Sequence, residues 1–343
     1  MNLLADCHLH FEGCLPVETL ERLARSARHP FADGSLFQRR RSEIGGAAGF
    51  LSLYGELCRL FRRPEDYALA ARDIAAWLTR QGVGYAEIYV SPEISRRMGL
   101  DSAACLAAIH EGFQARSGAC DCRILLDTVR QWGPDAADRV LDLQEKHPLA
   151  SVVGFGMGGD ENALPAASFA GVYARARALG LKTSVHAGEW GGPESVREAL
   201  DFLRPDRMDH GIAAVLEDRL LERLADERTV LCVAPSGNRI TGALAPFRQH
   251  PLPRLLEAGV RVALSADDPL LFGTSTAGEY DLARRELGLS TDLLRELAEN
   301  SWRAAFCGPA EREGGLRNLH DASWPPDWLG DSRGTGTSMS DLI

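Results

Sequence analysis

The feature that most constrains this chain is an alternation. Short β-like runs ending in polar residues or glycine are separated by helical stretches almost from end to end. The runs are Leu3–His10, Tyr85–Ser91, Cys122–Val129, Ser151–Phe155, Lys182–His186, Arg207–His210, Thr229–Ala234 and Val260–Ser265. Between and after them lie helical patterns over Val17–Arg28, Glu65–Gln81, Ala103–Ser117, Asp135–His147, Ala166–Leu179, Glu194–Leu203, Leu216–Ala225 and Leu252–Ala258. Strands joined by helical crossovers pair in parallel, and eight such units predict a (β/α)8 TIM barrel within the α/β class. Pro193 stands where a first helical turn begins, and Gly180 and Gly259 follow helices as left-handed terminators.

The connection Phe31–Phe61 is too long for an ordinary βα loop, so extra helices are expected between the first and second strands, over the barrel mouth. Glu279–Leu287 and Leu293–Phe306 read as closing helices. From Asp321 onward apolar periodicity stops, and Gly330–Ser340 is rich in glycine, serine and threonine. The expected organisation is one barrel domain over 1–320 and a mobile tail over 321–343.

Composition narrows the partners. The net charge of −10 and the lack of a basic cluster argue against nucleic acid, and Arg39, Arg40 and Arg41 read as a solvated helix end. The 8 cysteines form no CxxC pair, as suits reduced, buried thiols. With no basic leader and no 18-residue apolar run, a cytoplasmic protein without a membrane partner is expected. A small molecule remains as the partner.

The most informative local pattern is Asp6-Cys7-His8-Leu9-His10-Phe11-Glu12-Gly13. Residues two apart on a strand face the same side, so His8 and His10 project together, as two ligands of one metal ion would. Alone, such a pair also serves packing. Polar residues recur, however, at the ends of later runs: His186 closing the fifth with Glu189 just beyond it, His210 closing the sixth, Asp267 and Asp268 after the eighth. Barrel active sites are built at those ends. A buried carboxylate pair there needs a cation or a shared proton.

These residues carry a resemblance. His8-Leu9-His10, His186-Ala187-Gly188-Glu189, His210-Gly211 and Asp267-Asp268 resemble, in order and spacing, the adenosine deaminase family of the amidohydrolase superfamily. Supporting stretches are Gly158-Gly159-Asp160-Glu161, Pro235-Ser236-Gly237-Asn238 with Thr241-Gly242-Ala243, and Phe272-Gly273-Thr274 before Glu279-Tyr280. The similarity runs from about Leu3 to Phe306.

The resemblance implies that His8, His10, His186 and Asp267 bind one divalent metal, Zn2+ in most members, and that the metal activates water. It casts His210 as the group that orients and deprotonates that water. Glu189 becomes the acid that protonates N1 of a 6-aminopurine, Asp268 the contact to N7, and the Gly159 amide the contact to N3. The implied reaction is hydrolytic deamination to the 6-oxo purine and ammonia. Dinuclear relatives usually bridge their metals with a carboxylated lysine, or occasionally a glutamate, at the end of strand four, whereas this chain has only Lys146 and Lys182, neither placed to bridge.

Three positions depart from the best-known nucleoside deaminases. Glu12 stands where many have an aspartate that reaches the ribose 5′-hydroxyl, Gly156 replaces an acidic residue, and Trp190 follows the glutamate where a small residue is common. Phe61, Trp77, Tyr89, Phe155 and Met157 read mainly as core, with Phe155 or Met157 also able to touch the base. An adenosine-type nucleoside is the expected substrate. The rivals are free adenine or aminodeoxyfutalosine, and, in another class, an inactive purine-binding or signalling pseudoenzyme. Oligomeric state is left open.

Overall fold

A computed structural model describes residues 2–115, 120–245 and 249–326. Its strands, numbered here as barrel staves, are β1 (Leu4–His10), β2 (Val83–Val90), β3 (Asp121–Val129) and β4 (Val152–Gly158). They are followed by β5, in two pieces (Lys182–Thr183 and His186–Ala187), β6 (Arg207–His210), β7 (Val230–Val233) and β8 (Arg261–Leu264). Every described pairing is parallel and joins sequence neighbours. The ring closes where Leu9 pairs with Asp267: the His10 amide donates to the Asp267 carbonyl at 3.0 Å, and the Asp267 amide to the His8 carbonyl at 3.0 Å.

Each expected strand forms, with ends within a few residues. The fifth is broken because Ser184 and Val185 leave the ladder, although the Ser184 amide still donates to the Phe155 carbonyl at 3.0 Å. The long first connection folds into helices α1 (Val17–Ala27), α2 (Gly34–Ser42), α3 (Gly46–Cys58) and α4 (Pro64–Arg80). Asp33 caps α2 through the Ser35 amide, and Arg39, Arg40 and Arg41 sit in its last turn, where the helix dipole favours cations. Two of these arginines are not simply solvated: Arg40 pairs with Glu56 of α3 at 2.5 Å, and Arg41 donates to the Leu270 carbonyl at 3.4 Å.

The closing helices span Thr276–Arg285 and Thr291–Ala304, and a further helix, Pro309–Asp321, extends past them. Its glycines and mixed charges weaken the apolar pattern that would announce it. The expected tail therefore starts inside a helix, and Trp324 donates its indole N–H to the Thr291 carbonyl at 2.8 Å. The rest of the expected tail, 327–343, lies outside the described residues, as does the end of the helix expected over Ala103–Ser117, which stops at Gln114. All eight cysteines are free and buried. Among the described residues no helix is long and apolar enough to cross a membrane.

The barrel interior away from the strand C-termini holds an ion pair invisible to hydrophobic patterning. Arg207 and Glu87, both fully buried, meet at 2.5 Å. Arg207 also donates to the Cys7 carbonyl at 2.7 Å and the Ala304 carbonyl at 3.2 Å, and its guanidinium lies 4.0 Å from the centroid of the Phe306 ring. Glu87 accepts from the Tyr85 hydroxyl at 2.8 Å. The group thus ties β1, β2, β6 and the end of the helix Thr291–Ala304 together. Arg207→Met should strand Glu87 without its partner and cost about 3–5 kcal/mol, read as a lower denaturation midpoint, whereas adding Glu87→Leu should recover much of it.

Candidate active site

The sequence-marked residues come from β1, β5, β6 and the turn after β8, and they converge at the C-terminal mouth. The Nε2 atoms of His8, His10 and His186 lie 3.0–3.3 Å from one another. Asp267 Oδ1 is 3.5 Å from His8 Nε2 and 3.4 Å from His10 Nε2. His210 Nε2 stands 4.0 Å from Asp267 Oδ2 and 3.5 Å from Glu189 Oε2. Backbone shape makes the convergence possible: His210 (φ 63°) and Asp267 (φ 62°) both adopt the left-handed conformation. That conformation is unfavourable for residues with a Cβ and is a common mark of functional sites. It also breaks strand alternation, so Asp209 and His210, adjacent in sequence, both reach the site.

Three imidazole nitrogens this close cannot satisfy one another with a single proton between each pair. Burial, together with the neighbouring imidazoles, depresses the pKa of His8 and His10, that of His10 to about 3, so the rings are neutral with lone pairs available. Burial also lowers the pKa of His186, whose Nδ1 lies 3.0 Å from the Met157 carbonyl, fixing Nδ1 as donor and leaving Nε2 as lone-pair donor. Neutral nitrogens converging beside a carboxylate fit one divalent cation, and the donor set is that of a zinc site with room for a further ligand.

Asp209 lies behind the cluster. It accepts hydrogen bonds from the Tyr89 hydroxyl and from Ser184 Oγ (2.9 Å), and its oxygens lie 3.8 Å from His8 Nδ1 and 3.6 Å from His186 Nδ1. Tyr89 stacks on His10, with ring centroids 5.1 Å apart and an interplanar angle of 18°. Tyr89 also explains the missing acid at Gly156: a Cβ there would stand 2.4 Å from Tyr89 Cε1, so the tyrosine takes that space. Gly13 is as tightly constrained, since a Cβ would fall 1.7 Å from Asp268 Oδ1.

Glu189 sits on a turn held from below. The Glu161 carboxylate accepts from the amides of Gly188, Glu189 (3.1 Å), Trp190 (2.6 Å) and Gly191 (2.9 Å). The Thr241 hydroxyl donates to Glu189 Oε1 at 2.7 Å, leaving Oε2 toward His210. Burial, and next the charge of Asp267, raise the Glu189 pKa well above the carboxylate range, which favours a protonated acid. Asp268 is raised likewise, by burial and then by Asp267. The side-chain amide of Asn238 lies 3.1 Å from His210 Nδ1.

A cavity of about 330 Å³ opens from this cluster. His10, His186, Glu189, His210, Asp267, Asp268 and Gly159 line its inner end, and Phe50, Tyr54 and Trp190 its apolar wall. The α3 helix therefore supplies part of the wall, as expected for helices over the mouth. Tyr54, rather than Glu12, faces the cavity; its hydroxyl donates to Glu12 Oε2 at 2.7 Å, and Glu12 is buried behind it. Phe61, Tyr89, Phe155 and Met157 are buried and Trp77 packs on the core from a half-buried position. Neither Phe155 nor Met157 lines the cavity, because β4 turns both into the barrel core.

Lys182 is exposed and paired with Asp206 at 2.7 Å, and Lys146 ends the helix Pro134–Lys146, so neither lysine takes part. Sequence reading had not singled out Asp209 or Asp127, and it had given Glu161 no task. A carboxylate in or just after a strand was the available signal.

A closed parallel barrel with three imidazoles and an aspartate at its C-terminal mouth is the architecture of a metal-dependent amidohydrolase. Comparison with known proteins narrows the class. The family model described as adenosine deaminase matches residues 4–322. The chain is 36% identical over 318 residues to an adenine deaminase of Sinorhizobium medicae, covering 92% of this chain and 98% of that one. It is 39% identical over 316 residues to an adenine deaminase of Chelativorans sp., covering 89% and 94%. The crystal structure of an adenine deaminase from Arthrobacter aurescens superposes with a TM-score of 0.85 at 28% identity, covering 93% of this chain and 98% of that one. The chain belongs to the adenosine deaminase family, and so to the metal-dependent purine deaminases. The purified protein is therefore expected to carry about one divalent ion per chain by elemental analysis. Removal by a chelator should abolish activity and lower the thermal midpoint, both returning on adding Zn2+.

Proposed function

We propose that this protein deaminates free adenine, converting adenine and water into hypoxanthine and ammonia, with residues 1–320 acting as one catalytic unit. The observation that carries the choice of base over nucleoside is the Tyr54–Glu12 hydrogen bond of 2.7 Å. Glu12 occupies the position at which nucleoside deaminases are expected to meet a sugar, and Tyr54 covers it with a phenol ring. Glu12 then serves the substrate through Tyr54, which it orients, and no side-chain carboxylate at that position is presented to a ribose. The relatives named as adenine deaminases support the same reading.

In this reading His8, His10, His186 and Asp267 hold one divalent ion, zinc by their chemistry. Such an ion, when bound, supplies Lewis-acid activation of water near neutral pH. The chain's own groups do the rest. His210, with Nε2 3.5 Å from Glu189 Oε2, orients the attacking water and takes its proton. Protonated Glu189 donates from Oε2 to ring N1, which draws electrons from C6 and makes it open to attack. Asp268, protonated by its burial beside Asp267, donates to N7, and the Gly159 amide donates to N3. The amino group leaves as ammonia after proton transfer, and the apolar wall of Phe50 and Trp190 shields the ring from bulk water.

The test is a kinetic panel of adenine, adenosine and aminodeoxyfutalosine with ammonia release as readout. Adenine should lead adenosine by at least roughly 10²-fold in kcat/KM; a preference for either nucleoside would sink the assignment. Glu189→Gln keeps size but cannot deliver the proton, so kcat should fall at least roughly 10²-fold while bound metal is unchanged. Asp267→Ala should lose metal and activity together.

A further inference from the structure

One acid in the cavity has no task in the reaction just described. Asp127, near the end of β3, is 7% exposed and lines the cavity beside Gly159 and His186. Its Oδ1 accepts from the Gly158 amide at 3.1 Å. Among the described residues, no side chain donates to its other oxygen. Burial raises its pKa, and the charges of Glu12 and Asp209 push in the same direction; a ligand N–H directed at the free oxygen would favour the ionised acceptor over a retained proton. A buried polar group with acceptor capacity left over is costly to keep unless a ligand uses it.

The position of Asp127 says which ligand atom that is. The amide of Gly159, the residue after Asp127's own partner Gly158, is the group assigned above to purine N3. In a purine, N3 is flanked by C2, which carries only a C–H, and by C4, which is bonded to N9, so the polar hydrogen within reach of an acceptor beside the N3 donor is that of N9–H. Free adenine carries a proton on N9; a nucleoside, or any 9-substituted purine, does not. We propose that Asp127 is a specificity-determining residue that accepts a hydrogen bond from N9–H of the unsubstituted base and holds its carboxyl where an N9 substituent would have to pass. This rests on the adenine reading above and deepens it. Tyr54 removes the sugar's partner, and Asp127 supplies one for the proton that replaces the sugar.

The effect follows from what the bond rewards. A hydrogen bond to a buried acceptor discriminates strongly against an analogue that lacks the donor, because that analogue leaves the acceptor unsatisfied. Asp127 is remote from C6 chemistry, so its contribution belongs to recognition and should be seen in KM more than in kcat.

The experiment uses the full-length metal-loaded protein and its D127N variant, with adenine as substrate and 9-methyladenine as substrate or competitive inhibitor. In D127N the side-chain carbonyl oxygen would still accept from the Gly158 amide, but an N–H would be turned toward N9–H. D127N should lower kcat/KM for adenine about 10- to 100-fold, mostly through KM, and leave the affinity for 9-methyladenine within about 3-fold or tighter. D127S, which removes the carboxyl without needing its space, should show the same narrowing and serves if D127N does not fold. Equal losses for both purines, or no loss for adenine, would overturn the inference. If the unaltered enzyme fails to deaminate adenine, the broader reading fails; if it succeeds and the D127N and D127S ratios do not move, only the role of Asp127 does.

Discussion

The structure depends on the seam that closes the barrel. Two backbone hydrogen bonds, His10 to Asp267 and Asp267 to His8, both 3.0 Å, join the first strand to the segment after the last. Asp6 clamps the same seam from inside, its Oδ2 accepting from the Ala266 amide (3.0 Å) and the Thr276 hydroxyl (2.7 Å) and its Oδ1 from the His8 amide (3.2 Å). Because the closing residues are themselves proposed metal ligands, closure and assembly of the site are one event. A one-residue slip of register along β1 would carry His8 and His10 to the opposite face of the strand. The metal, once held, would in turn lock the seam from its side-chain face.

This arrangement gathers acid. Asp209, Asp267, Asp268, Glu189, Glu12 and Asp127 are all buried around the strand C-termini. Arg207 is spoken for by Glu87, and Arg130 is turned to backbone, donating to the His186 carbonyl at 2.8 Å and the Leu164 carbonyl at 3.4 Å. So many carboxyls sharing so little positive charge cannot all ionise. A divalent cation relieves part of the repulsion, and retained protons on Glu189 and Asp268 relieve another part. The proton on Glu189 is the one the proposed chemistry needs, so the crowding that makes the site costly to fold also prepares its acid.

Much of this was legible in the sequence, for a physical reason. A parallel barrel buries both faces of each strand, so strands appear as short apolar runs, and functional residues appear as the polar letters that end them. That is why His186, His210 and Asp267 could be placed from the sequence, and why strand ends agree within a few residues. What stayed hidden depends on contacts between distant segments. Asp209 precedes His210 on a strand where alternation would send only one of them inward, and the left-handed turn at His210 overrides that rule. Glu161 looks like an ordinary loop acid until the turn Gly188–Gly191 folds onto it. Helix Pro309–Asp321 lacks a clear apolar stripe, with Gly315 packed against Trp302 where a larger residue would collide.

The division of labour between staves and insertions also accounts for how substrate preference can change while the chemistry stays. Of the proposed ligands, acid and base, His8, His10 and Asp267 sit at the seam itself, where moving one residue disturbs barrel closure, while His186, Glu189 and His210 come from β5, the turn after it and β6. The residues proposed to meet the far edge of the purine are less constrained. Tyr54 belongs to α3, an insertion outside the barrel, and Asp127 faces the cavity near the end of β3, where its side chain holds the Gly158 amide of β4 and takes no part in the seam. Gly156 shows the same freedom from the other direction: its missing side chain is compensated by Tyr89, which uses the space to support His10 and Asp209. A new preference at the N9 edge therefore requires changes only in side chains that closure does not use. Conversely, a change at the proposed metal site would require rebuilding residues that hold the barrel shut.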